Sequence, residues 1–163
     1  MKSRLAFTFA AAAVLAAGSA AAEPFSVEVL LTPKEQMKWE IADGSKHFVL
    51  AVRREGTAEG SGAFAGAQVT EYGWHDVNPP LWGEPRGYLQ ITDGNGDVAV
   101  LRWAVKAVFL KGAEGPTLLD HGVWELVSGT GQFADKRGVG TVVIKPRGGP
   151  NLFILEGELG DKA

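Results

Sequence analysis

The densest mixture of aromatic and titratable side chains in this sequence is Tyr72-Gly73-Trp74-His75-Asp76, closed by Asn78-Pro79-Pro80 and Trp82. Imidazole is the side chain best poised for proton transfer near neutral pH, and a nearby carboxylate can orient it and raise its basicity. Acid–base chemistry centred on His75 is therefore the first reaction class to weigh. On a strand, successive side chains point to opposite faces. Glu71, Gly73 and His75 then share one face, and Tyr72, Trp74 and Asp76 the other. His75 and Asp76 act together only across a bulge; the plainer alternative is a surface hairpin with an ordinary solvated histidine. Tyr72, Trp74 and Trp82 are candidates of another kind, because flat amphipathic rings at a cavity mouth contact apolar ligands.

Arg102 and Glu125 form a second constellation. Between Asp97 and Leu110 one face carries Ala99, Leu101, Trp103, Val105, Ala107 and Phe109, and the other carries Arg102 and Lys106. Facing a lumen, Arg102 and Glu125 would anchor a ligand headgroup through a charge-assisted bond. Facing water, they are a surface pair contributing under ~1 kcal/mol. The wholly apolar opposite face favours the outward placement.

Several chemistries are excluded. Without cysteine there is no zinc-thiolate site, iron–sulfur cluster or thiol nucleophile. His47, His75 and His121 are the only histidines, and none has the i+2 or i+4 partner of a local metal pair. No metal and no cofactor is expected. Asp93, Asn95 and Asp97 alternate as in a calcium loop, but Gly94 and Gly96 mark a hairpin, and Ala104 stands where a bidentate glutamate is needed. A Gly-x-Ser-x-Gly elbow is absent, so no serine triad is argued. Gly60-Ser61-Gly62-Ala63-Phe64-Ala65 and Gly129-Thr130-Gly131-Gln132-Phe133-Ala134 share a glycine-rich pattern. Strand-like residues follow both, so they read as tight corners with a buried phenylalanine plug rather than phosphate cradles.

Period-two alternation recurs along the chain and no long 3.6-residue period does. Strands are expected at Ser26–Leu31, Met37–Ile41, His47–Arg53, Ala67–His75, Tyr88–Thr92, Asp97–Leu110, Gly122–Val127, Val139–Lys145 and Leu152–Glu158, with a helical turn beginning only at Thr32–Met37. Turn residues separate them, most clearly Asp93-Gly94-Asn95-Gly96. About eight or nine strands joined by short loops make one antiparallel all-β domain over 23–163.

Lys2 and Arg4 precede an uncharged run, Leu5 to Ala17, and then Gly18-Ser19-Ala20-Ala21-Ala22. This is the layout of a secretory signal peptide, 1–22, with cleavage after Ala22. The run is too short for a membrane anchor, so no stable membrane span is expected after cleavage. A periplasmic or secreted destination follows, and the absence of cysteine suits it. Loss of Lys2 and Arg4 moves the formal net charge from −3 to −5. Such an acidic domain has no electrostatic attraction for phosphate backbones, so nucleic acid is not an expected partner.

Trp124-Glu125-Leu126-Val127-Ser128-Gly129-Thr130-Gly131-Gln132-Phe133, with Gly138-Val139-Gly140-Thr141, resembles the corner and strand of allene oxide cyclase-like barrels, and plant dirigent proteins share a similar corner. Gly87-Tyr88-Leu89-Gln90-Ile91-Thr92-Asp93-Gly94-Asn95-Gly96-Asp97 is similar to the hairpin that small exported bacterial relatives carry before it. The resemblance implies a calycin-like eight-stranded antiparallel barrel with an apolar cavity, working without metal or cofactor. It also implies assembly into a homo-oligomer, often a trimer. Cyclases of this kind use a glutamate near a Tyr-Glu-Ile segment; Trp39-Glu40-Ile41 is the counterpart here and nominates Glu40. Expected first is an exported barrel binding a small apolar or aromatic molecule in its cavity. The second expectation is a cofactor-free cyclase or isomerase with Glu40 or His75 as base, and the third a structural or inhibitory envelope protein acting through its loops.

Overall fold

The computed structural model describes residues 22–163; the expected signal peptide lies outside these residues apart from Ala22. The strands are β1 (Glu23–Glu40), β2 (Phe48–Ser61), β3 (Gln68–Asn78), the two-residue β4 (Trp82–Gly83), β5 (Arg86–Thr92), β6 (Val98–Gly112), β7 (Gly115–Gly129), β8 (Lys136–Pro146) and β9 (Asn151–Asp161). The eight long strands pair antiparallel in the order β1-β2-β3-β5-β6-β7-β8-β9, and β9 returns to β1. This is a closed up-and-down barrel, the expected fold class. Closure pairs the row of backbone groups that an open edge would leave exposed.

Alternation builds each wall. Along β6, Ala99, Leu101, Trp103, Val105 and Ala107 are buried, and the residues between them face outward. One local expectation is overturned: Thr32–Met37 begins no helical turn, and the two strands anticipated on either side of it are a single 18-residue β1. Its register shifts between Pro33 and Glu35. Proline donates no hydrogen bond, so a bulge beside it sacrifices little of the ladder. Pairing of Glu35–Glu40 with Phe48–Arg53 on β2 then overrides the local helix preference.

One end of the barrel is stoppered by the two glycine-rich corners. Phe64 and Phe133 are both buried, with ring centroids 5.7 Å apart. Phe64 meets Phe25 edge-on at 4.7 Å, and Phe25 lies 5.1 Å from Trp124. The Asp93–Gly96 turn is tied to the second corner. Asp93 Oδ1 accepts from the amides of Asn95 and Asp97, and Asp97 Oδ2 accepts from the amide of Gln132 at 3.0 Å. The alternating acids thus serve the turn. Phe64→Ala is expected to cost about 3–5 kcal/mol, read as a lower urea midpoint at unchanged m-value. A loss below about 1 kcal/mol would show that this end is not held by its plug.

Among the described residues, the middle of the barrel axis, where an apolar hollow is expected, is filled by side chains. Trp103 and Phe153 meet edge-on at 5.4 Å in the lumen, and Trp124 and Leu155 are buried with them. Gly140 and Gly157 make room for the Trp124 indole, since a Cβ on either would come within 2.7 or 2.3 Å of its ring. Two tryptophans are simply too bulky for an eight-stranded interior that must also stay empty. The lumen is a core.

Candidate functional site

The ladder registers assemble the site on the outer wall. Pairing from β1 across β2, β3, β5 and β6 to β7 aligns Glu35, Arg53, Tyr72, Tyr88, Arg102 and Glu125 in one outward row. Two residues along each strand, a second outward row reads Met37, Ala51, Trp74, Arg86, Ala104 and Val123. The inward row between them includes Gly73 and Gly87 as direct partners. Neither has a side chain to hold the wall away from the axis, and a Cβ on Gly87 would sit 2.2 Å from the Tyr72 carbonyl oxygen. Glycines at such positions let a sheet bend sharply. The outcome is an open groove of about 880 Å³ lined by these rows.

Aromatic rings dominate its centre. Tyr72, Trp74 and Tyr88 are 48%, 41% and 47% exposed, and the Trp39 ring lies 5.9 Å from that of Trp74. The charged ends of the first row are paired. Arg53 donates to Glu35 at 2.9 Å and also to Glu55, and Arg102 Nη2 donates to Glu125 Oε2 at 2.6 Å.

Behind the same wall lies a buried ionic cluster. Arg54, Glu71 and His75 all point into the lumen and are at least nine-tenths buried. Arg54 Nη1 donates to Glu71 Oε2 at 2.7 Å. His75 Nε2 lies 3.3 Å from Glu71 Oε1 and 3.3 Å from Arg54 Nη1, so it donates to the first or accepts from the second according to its tautomer. Glu71 and His75 meet over Gly73, where a Cβ would be 2.3 Å from Glu71 Oε1 and 2.9 Å from His75 Nε2. Among the described residues, Arg54 Nε and Trp103 Nε1 have no hydrogen-bond partner, and the His75 and Trp103 rings are 5.9 Å apart. The expected division of residues 71–76 between two faces therefore holds. The missed member is Arg54, whose signal is a charge at the inward position of an alternating strand.

Further along the barrel, Asp120 is also buried, and its Oδ1 has no hydrogen-bond partner among the described residues. Burial pushes its carboxyl up to about 6. It lines a smaller recess of about 270 Å³ with Leu118, Ile144 and Arg147.

Of the residues nominated from sequence, Tyr72, Trp74, Arg102 and Glu125 come together in the outer groove. Trp82 does not join them; its ring packs edge-on against His47 at 5.3 Å, and His47 Nε2 is 2.6 Å from Asp76 Oδ1. Glu40 sits exposed at the far end of β1, taking a hydrogen bond from Lys38 Nζ at 3.0 Å. His75 is inside the wall. The two candidate bases are thus separated, one at a hairpin end and one in the core. Tyr88 and Arg86 are groove residues that sequence reading passed over, because only cross-strand register makes them neighbours of Tyr72 and Trp74.

These features define a closed eight-stranded antiparallel barrel with a filled core and an aromatic groove on its outer wall. No protein-family model and no curated protein sequence matches the chain. Among solved structures it is similar to a beta-barrel-like protein from Acinetobacter baumannii AYE, at 12% identity and TM-score 0.59, over 85% of this chain and 95% of that one. It is also similar to a protein of unknown function from Clostridium acetobutylicum ATCC 824 (10% identity, TM-score 0.51, 85% and 97% of the two chains). A conserved protein of unknown function from Rhodopseudomonas palustris has 8% identity and TM-score 0.50, over 86% and 99%. At these identities the likeness concerns the fold, a small β-barrel.

Proposed function

We propose that this protein is an exported binding protein that holds a flat, largely apolar molecule in the outer groove. The carrying observation is the cluster of half-exposed Tyr72, Trp74 and Tyr88 over a recess of about 880 Å³. That volume falls within the roughly 300–1,000 Å³ common for small-molecule sites. Adjacent exposed rings leave apolar area in water that a ligand would cover, at about 25 cal/mol per Å². The paired charges at the ends of the row form a polar rim around this apolar centre. Turnover is not part of the proposal, because Glu40 and His75 do not meet around any shared space. Export rests on the order of residues in 1–22, and a mature chain beginning at Glu23 when secreted by a bacterial host would support it.

Titration of tryptophan emission with phenolics, terpenoids and fatty acids tests the groove. Trp74→Ala is expected to weaken binding about tenfold or more, equivalent to about 1.4 kcal/mol or above. Trp82→Ala, outside the groove, is expected to leave affinity unchanged. Equal losses from both variants, or a stable dimer with Trp74 buried between subunits, would overturn the reading.

A further inference from the structure

We infer that the ligand of this groove is an aromatic monocarboxylate whose anionic group is seated at Arg86, an inference that rests on the groove reading above. The argument comes from the charges that surround Arg86 on the outer wall. Glu84, two residues before it on the same edge of the site, is paired with Lys106. Asp76, diagonal to it on β3, is paired with His47. Arg102, diagonal on β6, is paired with Glu125, and Arg53 on β2 is held by Glu35 and Glu55. Glu84, Arg102 and Arg53 each have a partner of opposite sign and Asp76 is hydrogen-bonded to the His47 ring; among the described residues, the Arg86 guanidinium has no side-chain partner.

Its position matters as much as its charge. Arg86 is one of the two middle residues of its row, directly opposite the other, Trp74 on β3, and Ala104 on β6. Arg86, Ala104, Tyr72, Trp74 and Tyr88 all line the groove. A guanidinium presents a planar fork that matches a carboxylate in two parallel hydrogen bonds. Arg86 is exposed, so this fork is open to a ligand arriving from solution, beside the half-exposed Trp74 on the paired strand. The groove carboxylates are already engaged by arginines, so a cationic ligand would find no free acceptor charge. One unpaired guanidinium also argues against a polyphosphate, which needs several cations. A flat ring over Tyr72, Trp74 and Tyr88 with one carboxylate at Arg86 satisfies both halves of the site.

The test uses matched probes on the full mature chain: 2-naphthoate and its neutral isostere 2-naphthamide, followed by tryptophan quenching and calorimetry. Wild-type protein is expected to bind the acid at least about tenfold more tightly than the amide. Raising ionic strength should weaken only the acid. Arg86→Gln should abolish the preference, so that acid and amide bind alike, and Arg86→Lys should retain part of it. Amide binding by Arg86→Gln also reports that the variant is folded. If acid and amide bind wild type equally, and both depend on Trp74, the carboxylate assignment is overturned and the groove reading stands. If neither probe nor any aromatic acid binds in a Trp74-dependent way, the groove reading fails and takes this inference with it.

Discussion

Glu71→Ala is expected to destabilise the barrel by about 3–5 kcal/mol, because it leaves the Arg54 guanidinium buried without its counter-charge. Glu71 is fully buried and Arg54 nearly so, and their bond at 2.7 Å is made inside a lumen that is otherwise mostly apolar. Charge burial is costly, and removing one member of a pair exposes that cost in full. Removing both is a different experiment. The double variant Arg54→Met with Glu71→Leu deletes the pair together, and it is expected to be far closer to wild type than Glu71→Ala alone. Gly73→Ala acts on the same cluster from the backbone, since its Cβ would lie 2.3 Å from Glu71 Oε1. It should therefore be strongly destabilising in wild type and much milder in the Glu71→Ala background. Urea unfolding of wild type and the four variants measures all of this. A Glu71→Ala protein within about 1 kcal/mol of wild type would mean that water or relaxation reaches Arg54, and the account of the cluster would be wrong.

Asp120→Asn is expected to stabilise the protein at neutral pH and to do nothing in acid. Burial raises the Asp120 carboxyl from 3.8 to about 6, so the native state holds its proton more tightly than the unfolded chain does. Between roughly pH 4 and 6 the native state binds more protons, and stability falls as pH rises through that window. Below it the carboxyl is neutral in both states and the burial cost vanishes; above it the cost is fully present. A shift of this size corresponds to about 3 kcal/mol at pH 7. Asparagine keeps the shape without the charge. The gain of the variant over wild type should therefore grow from near zero at pH 3.5 to a plateau above pH 6. Asp120 makes no ion pair among the described residues that could offset this. Thermal unfolding across the range checks the prediction, and a gain independent of pH would refute the assignment.

Much of the architecture was legible before any coordinates. Period-two alternation located the strands because one face of each must be buried, and this requirement is local to the strand. The Asp93–Gly96 hairpin and the phenylalanine plugs at Phe64 and Phe133 were readable for the same reason: turn chemistry and corner packing act within a few residues. The site was legible only in part. Tyr72 and Trp74 are legible by type as aromatic candidates but for the mouth of a hollow, whereas the outward placement that the apolar face of β6 favours for Arg102 and Glu125 is the one observed. Glu40 was nominated through a family pattern, and the pairing of β1 with β2 carries it to an exposed hairpin end.

By itself, the amino-acid sequence settled which residues of a strand share a face, where the chain turns, and that the domain is all-β. Only the tertiary structure decided which outward residues stand beside one another, and whether the lumen is empty or full. The physical reason is range. Alternation and turn preference are properties of a few consecutive residues. By contrast, the adjacency of Trp74 and Arg86, the meeting of Arg54 with Glu71, and the fit of Trp124 against Gly140 and Gly157 depend on registers between different strands. Those registers are set jointly by every pair around a closed barrel, so no single stretch of sequence contains them.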